Sequence, residues 1–193
     1  MRYTCIHTYV SSHLLAHTKE RKQTQTHSLT STRHPSRLHS LTLISTPTHL
    51  PPSALHLFSL SHPSWPTACR ALGSRGWAES LSSIPGTIPV ADPAYLPWYL
   101  SQIGLSSGEG LAQYAEFLST FDARPYLGEV KTPTLVLAPR NSAATSVEEQ
   151  RGLAGGIEGA RVVVVEGVGH EIYVTGAERC QEEFLKFVRG VGG

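Results

Sequence analysis

The sequence lacks any long apolar run, and nothing in its 193 residues approaches the roughly 18 consecutive apolar residues of a membrane span. The net charge is only +1, which gives no general argument for a nucleic-acid partner. The three cysteines, Cys5, Cys69 and Cys180, are an odd number at wide spacings that fit neither a disulfide framework nor a zinc pattern. We therefore expect a cytoplasmic protein with reduced thiols, no cofactor, no membrane partner and no nucleic-acid partner.

Acidic residues are almost missing from residues 1–66, which hold six Lys or Arg against one acid, Glu20. The same segment carries nine of the ten histidines and much Ser, Thr and Pro. No helical or strand periodicity persists in it, because prolines interrupt each start. We therefore predict that residues 1–66 form a disordered, low-complexity tail.

Three other interpretations of this tail stay open. His13 and His17 are four residues apart and would face one metal on a helix, but no Cys or carboxylate is placed to complete a site. The Ser- and Arg-rich, acid-poor composition also resembles a transit peptide. The third interpretation, which we favour, is that residues 1–66 are not native coding sequence.

Large aromatic side chains are more frequent in residues 67–130 than before them, among them Trp77, Tyr95 and Trp98. They could close over an apolar substrate, or they could simply pack in a core. An apolar face predicts a helix from Ser106 to Leu118, with Ser106 as N-cap and Glu109 in a capping box. This segment is interpreted as a mostly helical cap.

Residues 131–193 alternate strand and helix patterns. We predict a strand at Thr134–Ala138, a helix that begins at Ser146 and a last helix that begins at Thr175. Between these helices, Val162 to Val165 are apolar without alternation, which is typical of a parallel strand covered on both faces. The order indicates an α/β fold with a parallel βαβ unit and a C-terminal helix.

A histidine follows the valine strand at the point where two glycines, Gly167 and Gly169, allow a sharp turn. Open α/β sheets place ligands and chemistry at the carboxyl ends of their strands. His170 is therefore a candidate general base, although a lone loop histidine is more often solvated or structural. It is the only histidine outside the tail.

The stretches PTLVLAPRNSAA (133–144) and VVVVEGVGHEIYV (162–174) resemble the acid loop and the histidine loop of α/β hydrolases. Residues 71–188 are similar to the cap and C-terminal half of that superfamily, notably to fungal proteins likened to 3-oxoadipate enol-lactonases. The resemblance implies a serine hydrolase of small carboxylic esters or lactones. It gives His170 the histidine role and places Asn141 at the acid position, where the family usually has Asp. Asp122 and Glu171 are the other carboxylates considered for His170.

A nucleophile elbow of the form G-x-S-x-G has one match, Gly104 to Gly108, centred on Ser106. No buried strand pattern precedes it, and only 35 residues separate Ser106 from Asn141. We therefore predict a truncated chain without its nucleophile, in which Ser106 is a helix cap. The alternative is a non-catalytic pseudoenzyme or binding remnant.

Truncation would also leave one edge of the strand at Thr134–Ala138 unpaired. Exposed edges pair with other chains, so we expect self-association. A tail segment such as Leu41–Ile44 could cover that edge instead.

Overall fold

The computed structural model describes residues 38–88 and 93–191, together with the backbone of residues 3–8. Its centre is a four-stranded sheet in which every pairing is parallel and the strands follow their order in the chain. The strands are β1 (Tyr3–Thr8), β2 (Leu38–Ile44), β3 (Thr134–Pro139) and β4 (Arg161–Val165). No helix in the described part of the chain is long and apolar enough to cross a membrane.

Strand β3 lies inside the sheet, so the predicted exposed edge is wrong. Strand β2 pairs with it in register, with Leu41 opposite Thr134 and Ile44 opposite Leu137. The segment that covers this edge includes Leu41–Ile44, which the sequence analysis named as the alternative to self-association. Residues 40–44 of β2 are buried, because sheet strands lie on both sides of β2.

Disorder is likewise wrong for residues 38–66. After β2, helix α1 (Pro52–Ser59) buries Ala54 and Phe58, and α2 (Trp65–Ser82) begins with Ser64 as its N-cap. Most apolar residues of this Ser- and Thr-rich segment are spaced so that they reach a core. The metal and transit-peptide interpretations of the earlier tail residues, including His13 and His17, lie outside the described residues.

The helices of residues 65–129 enclose an aromatic core. They are α2, α3 (Tyr95–Ile103), α4 (Gly108–Thr120) and a 3-10 helix (Arg124–Glu129). Phe58, Trp65 and Trp77 pack ring against ring with centroids 4.8–6.1 Å apart. The predicted cap of α4 is off by one residue, since the Ser107 side chain accepts the Gly110 N–H and Glu109 pairs with Arg70.

Helices cover both faces of the sheet, which confirms the predicted α/β class. They are α5 (Val147–Gly155), α6 (Ile172–Thr175) and α7 (Ala177–Val191). Leu153 of α5 packs with Leu41, Leu43 and Val136 on one face, and Cys180 of α7 packs with Leu137 and Val165 on the other. The predicted capping box of Ser146 and Glu149 is present at the start of α5.

The valine strand differs from its prediction. It ends the sheet order, and only Val165 is fully buried, whereas Val162, Val163 and Val164 are partly exposed. An edge strand can be covered on its faces without being enclosed, because its outer side has no neighbour among the described strands.

Candidate functional site

Three polar side chains meet where β2, β3 and β4 end. Ser45 directly follows β2, Ser142 lies in the loop after β3, and His170 lies in the loop after β4. Parallel strands present their carboxyl ends along one edge of the sheet, so residues far apart in the sequence come together there. Both serines bond to His170, one to its backbone and the other to its ring.

The backbone of the histidine loop is fixed by contacts from two sides. Ser45 Oγ donates to the His170 carbonyl over 2.8 Å, and the His170 N–H donates to the Thr87 carbonyl over 3.4 Å. Gly169 has a φ of +80°, and a Cβ there would lie 3.1 Å from the Thr87 oxygen. A glycine is therefore required both by the backbone conformation and by the close approach of residue 87.

The imidazole of His170 is bound through Nδ1, which lies 3.0 Å from the Ser142 hydroxyl oxygen. Only 6% of the residue is exposed to solvent. This burial penalises the charged form and lowers the pKa of His170 to about 4. The ring is therefore neutral at pH 7.

The residue predicted at the acid position does not hold the ring. Asn141 is exposed, and its Nδ2 donates to the Gly167 carbonyl over 3.3 Å, while the next residue, Ser142, reaches Nδ1. Asn141 therefore joins the two loops through the backbone. The strand ends at Pro139, one residue later than predicted.

The other carboxylates considered are engaged elsewhere. Asp122 forms an ion pair with Arg124, which lowers the pKa of Asp122 to about 2. Glu171 is buried beside the histidine and accepts a 2.7 Å hydrogen bond from the Tyr95 hydroxyl of α3. Burial and the Glu171 charge both raise the pKa of Tyr95. This contact ties the helical segment to the histidine loop.

Ser106 lies between helices α3 and α4, and its backbone carbonyl accepts a hydrogen bond from Ser74 of α2. No strand precedes it, so the elbow geometry that G-x-S-x-G implies is absent there. The sequence argument against Ser106 as a nucleophile agrees with this placement. Its predicted role as the cap of α4 belongs to Ser107.

Ser45 has the geometry that Ser106 lacks. It follows a buried parallel strand and has a φ of +53°, a conformation that costs a non-glycine residue about 1 kcal/mol. Its hydroxyl is fully buried and donates to the His170 backbone, a bond worth about 1 kcal/mol that offsets the strain. The serine therefore anchors the loop rather than facing a substrate.

An apolar cavity of about 30 Å³ borders the ring of His170. Residues from α1, α2, α4 and the two loops line it, including Phe58, Trp77, Tyr114 and Ala144. This volume holds about two water molecules. A second cavity of about 50 Å³ lies between β2, α4 and α5, without His170 in its wall.

Sequence reasoning missed Ser45, Ser142 and Thr87. Ser45 carried a usable signal, because a serine directly after a short apolar and β-branched run is a strand-end residue. Ser142 and Thr87 carried none, since their roles depend on the path of two loops. Among the residues that the structure describes, no three metal-ligating side chains cluster.

Comparisons with known proteins give one match to a family model and several matches to solved structures. Residues 119–189 match an α/β-hydrolase family model described as TAP-like protein. No curated protein sequence matches the chain.

Solved structures match over most of the chain. An enol-lactonase from Burkholderia xenovorans LB400 has a TM-score of 0.68 at 19% identity, over 84% of this chain and 60% of that one. A thermophilic esterase from Thermogutta terrifontis gives 0.69 at 22% identity, over 86% and 61%. MenH from S. aureus gives 0.66 at 17% identity, over 86% and 64%. The chain thus spans about three fifths of the length of these structures.

Proposed function

Because the chain has the fold of the α/β hydrolases, we propose that it carries the histidine and helical cap of a hydrolase that acts on small carboxylic esters or lactones. The observation that carries this proposal is the buried His170 at the carboxyl edge of the sheet, bordered by an apolar cavity. An enol-lactonase and an esterase are among the similar structures, which supports the substrate class. A cytoplasmic location belongs to the same proposal and rests on the cysteine pattern.

Hydrolysis by such a site needs an attacking group, a histidine that takes its proton and an acid that stabilises the imidazolium. In the described residues Nδ1 of His170 contacts the Ser142 hydroxyl, and the pKa of the ring is about 4. A base of that strength accepts a serine proton poorly at pH 7. We therefore propose that the chain by itself turns over esters little or not at all.

The second candidate function is non-catalytic binding by the same cavity, as in a pseudoenzyme. The contact between Ser142 and Nδ1 favours it, because a hydroxyl holds the ring without supplying the charge that catalysis needs. The two candidates share the fold and the cavity. They differ in whether His170 ever takes a proton from an attacking group.

The test is hydrolysis of a small activated ester and of an enol-lactone by the purified chain. The variants are Ser106→Ala, Ser142→Ala and His170→Ala. His56→Ala is the matched control, because His56 is exposed on α1 and its imidazole reports the uncatalysed reaction of a surface histidine with the ester. We expect the parent and all four variants to hydrolyse both substrates at the same background rate.

Two outcomes would overturn the proposal that the chain is inert. Turnover that is lost in both Ser106→Ala and His170→Ala would make Ser106 the attacking group. Turnover that survives Ser106→Ala but is lost in Ser142→Ala and His170→Ala would make Ser142 the attacking group, with Nδ1 as its base.

A further inference from the structure

The Ser142 hydroxyl is surrounded by hydrogen-bond donors. The backbone N–H groups of Ala144 and Thr145 each donate to its oxygen over 3.1 Å, and the Thr145 hydroxyl donates over 3.5 Å. A serine oxygen has two lone pairs, and a backbone N–H can only donate. The two backbone groups therefore occupy the acceptor positions of Ser142, because the Thr145 hydroxyl, at 3.5 Å, is beyond the usual range of a hydroxyl hydrogen bond.

The Ser142 hydroxyl can then interact with His170 only by donating its hydrogen. Nδ1 lies 3.0 Å from the oxygen, within the range of a hydrogen bond donated by a hydroxyl. A neutral imidazole carries one N–H, so a ring that accepts at Nδ1 carries its proton on Nε2. Hydrolase triads use the opposite arrangement, in which Nδ1–H donates to a carboxylate and Nε2 accepts from the nucleophile.

We propose that Ser142 is a positioning residue that holds His170 in the tautomer protonated at Nε2, so that Nε2 cannot take a proton from an attacking group. The tautomer proposal adds detail to the proposed function and rests on it only for the role expected of His170. The burial that lowers the pKa of His170 keeps the ring neutral at pH 7, so the tautomer is defined there. The nearest carboxyl group, Glu171, accepts from the Tyr95 hydroxyl.

The proposal is tested by NMR on the full chain with ¹⁵N-labelled histidine. Correlations between ring protons and ring nitrogens distinguish the two tautomers, and the His170→Gln variant identifies the signals of residue 170. We expect a proton on Nε2 in the parent at pH 7. Ser142→Thr keeps a hydroxyl and should keep this tautomer, whereas Ser142→Ala should give a mixture.

A carboxylate at the same position should reverse the arrangement. In Ser142→Asp we expect the proton on Nδ1 and a pKa of His170 raised by one unit or more, because an acid accepts from Nδ1–H and stabilises the charged ring. The matched control is Ser146→Asp, which adds the same charge a few residues away but replaces the N-cap of α5 with another good cap. It should leave the tautomer unchanged.

A parent ring protonated at Nδ1 would overturn the proposal, and so would a tautomer that is identical in Ser142→Ala, Ser142→Thr and the parent. If Ser142→Asp does not fold, the comparison of the alanine and threonine variants still decides. Ester turnover plays no part in this readout. Failure of the tautomer assignment and failure of the hydrolase proposal are therefore separate results.

Discussion

The two strands that flank β3 differ in sequence and in burial, and the more apolar strand, β4, is the less buried of the two. Strand β4 is four consecutive valines, yet three of them are only partly buried. Strand β2 contains Ser40 and Thr42, and both are completely buried. The strand that looks like a core strand is at the edge of the described sheet, and the strand that looks like part of a tail lies inside it.

The number of neighbours in the sheet explains this contrast. Strand β2 has β1 on one side and β3 on the other, whereas β4 has only β3. β-branched residues suit both positions, because they favour the extended backbone whether or not they are enclosed. Both strands nevertheless deliver a residue to the same site, Ser45 after β2 and His170 after β4.

Truncating one side chain on β2 and one on β4 should give the largest difference in the free energy of unfolding. Leu41→Ala removes a buried side chain from the β2 face, and we expect a loss of about 3 kcal/mol in the free energy of unfolding. Val162→Ala, on the partly exposed β4, should cost about 1 kcal/mol. Denaturant unfolding of both variants measures this, and equal losses would show that β2 is not an interior strand.

The pH dependence of stability should depend on His170, which lies in the loop after β4. The pKa of His170 is about 4 in the folded chain and about 6.5 in an unfolded one, so the unfolded state takes up the proton first as pH falls. Stability should therefore fall by about 3 kcal/mol between pH 6.5 and pH 4 on account of this residue.

The check on that prediction is urea unfolding at several pH values. The His170→Gln variant should lose stability less steeply than the parent over this interval. Parallel curves for the two proteins would mean that the histidine is not buried in its neutral form.

Ser45, which directly follows β2, should contribute less to the free energy of unfolding. Ser45→Ala removes the buried hydrogen bond to the His170 carbonyl and leaves that carbonyl with one partner fewer, at a cost of about 1 to 2 kcal/mol. Ser101→Ala is the matched control, because Ser101 is exposed and bonds only within its own helix. Thermal unfolding should separate the two variants. If Ser101→Ala is as unstable as Ser45→Ala, the result contradicts the anchoring role of Ser45.

The smallest expected effect concerns self-association, which we propose occurs weakly through the outer edge of β4. Val164 belongs to neither core cluster, so Val164→Lys places a charge at that edge with little effect on packing. Leu185→Lys is the control, because Leu185 is an exposed leucine on α7. In sedimentation velocity across a concentration range, only Val164→Lys should reduce association. A parent that stays monomeric throughout would contradict the proposal.

The sequence was sufficient for the features that depend on local pattern. The strand β3, the capping box that starts α5, the buried Cys180 and the position of His170 after β4 all follow from residue spacing. The resemblance to α/β hydrolases is confirmed by the fold.

Features that depend on tertiary contacts were not predictable. Strand β2 is seven residues long within a Ser- and Thr-rich segment, and its pairing with both β1 and β3 makes it an interior strand. The choice between Asn141 and Ser142 depends on the path of the loop after β3, which brings the Ser142 hydroxyl to the ring. The tie between Tyr95 and Glu171 joins residues 76 positions apart and leaves no local signal.

The central claim is that Nδ1 of the buried His170 is held by the Ser142 hydroxyl, where a hydrolase triad has a carboxylate. The most direct test is an NMR titration of the His170 ring in the folded chain. We predict a pKa near 4, because burial penalises the charged form of the ring. A pKa of 7 or above would show a carboxylate paired with the ring and would contradict the claim.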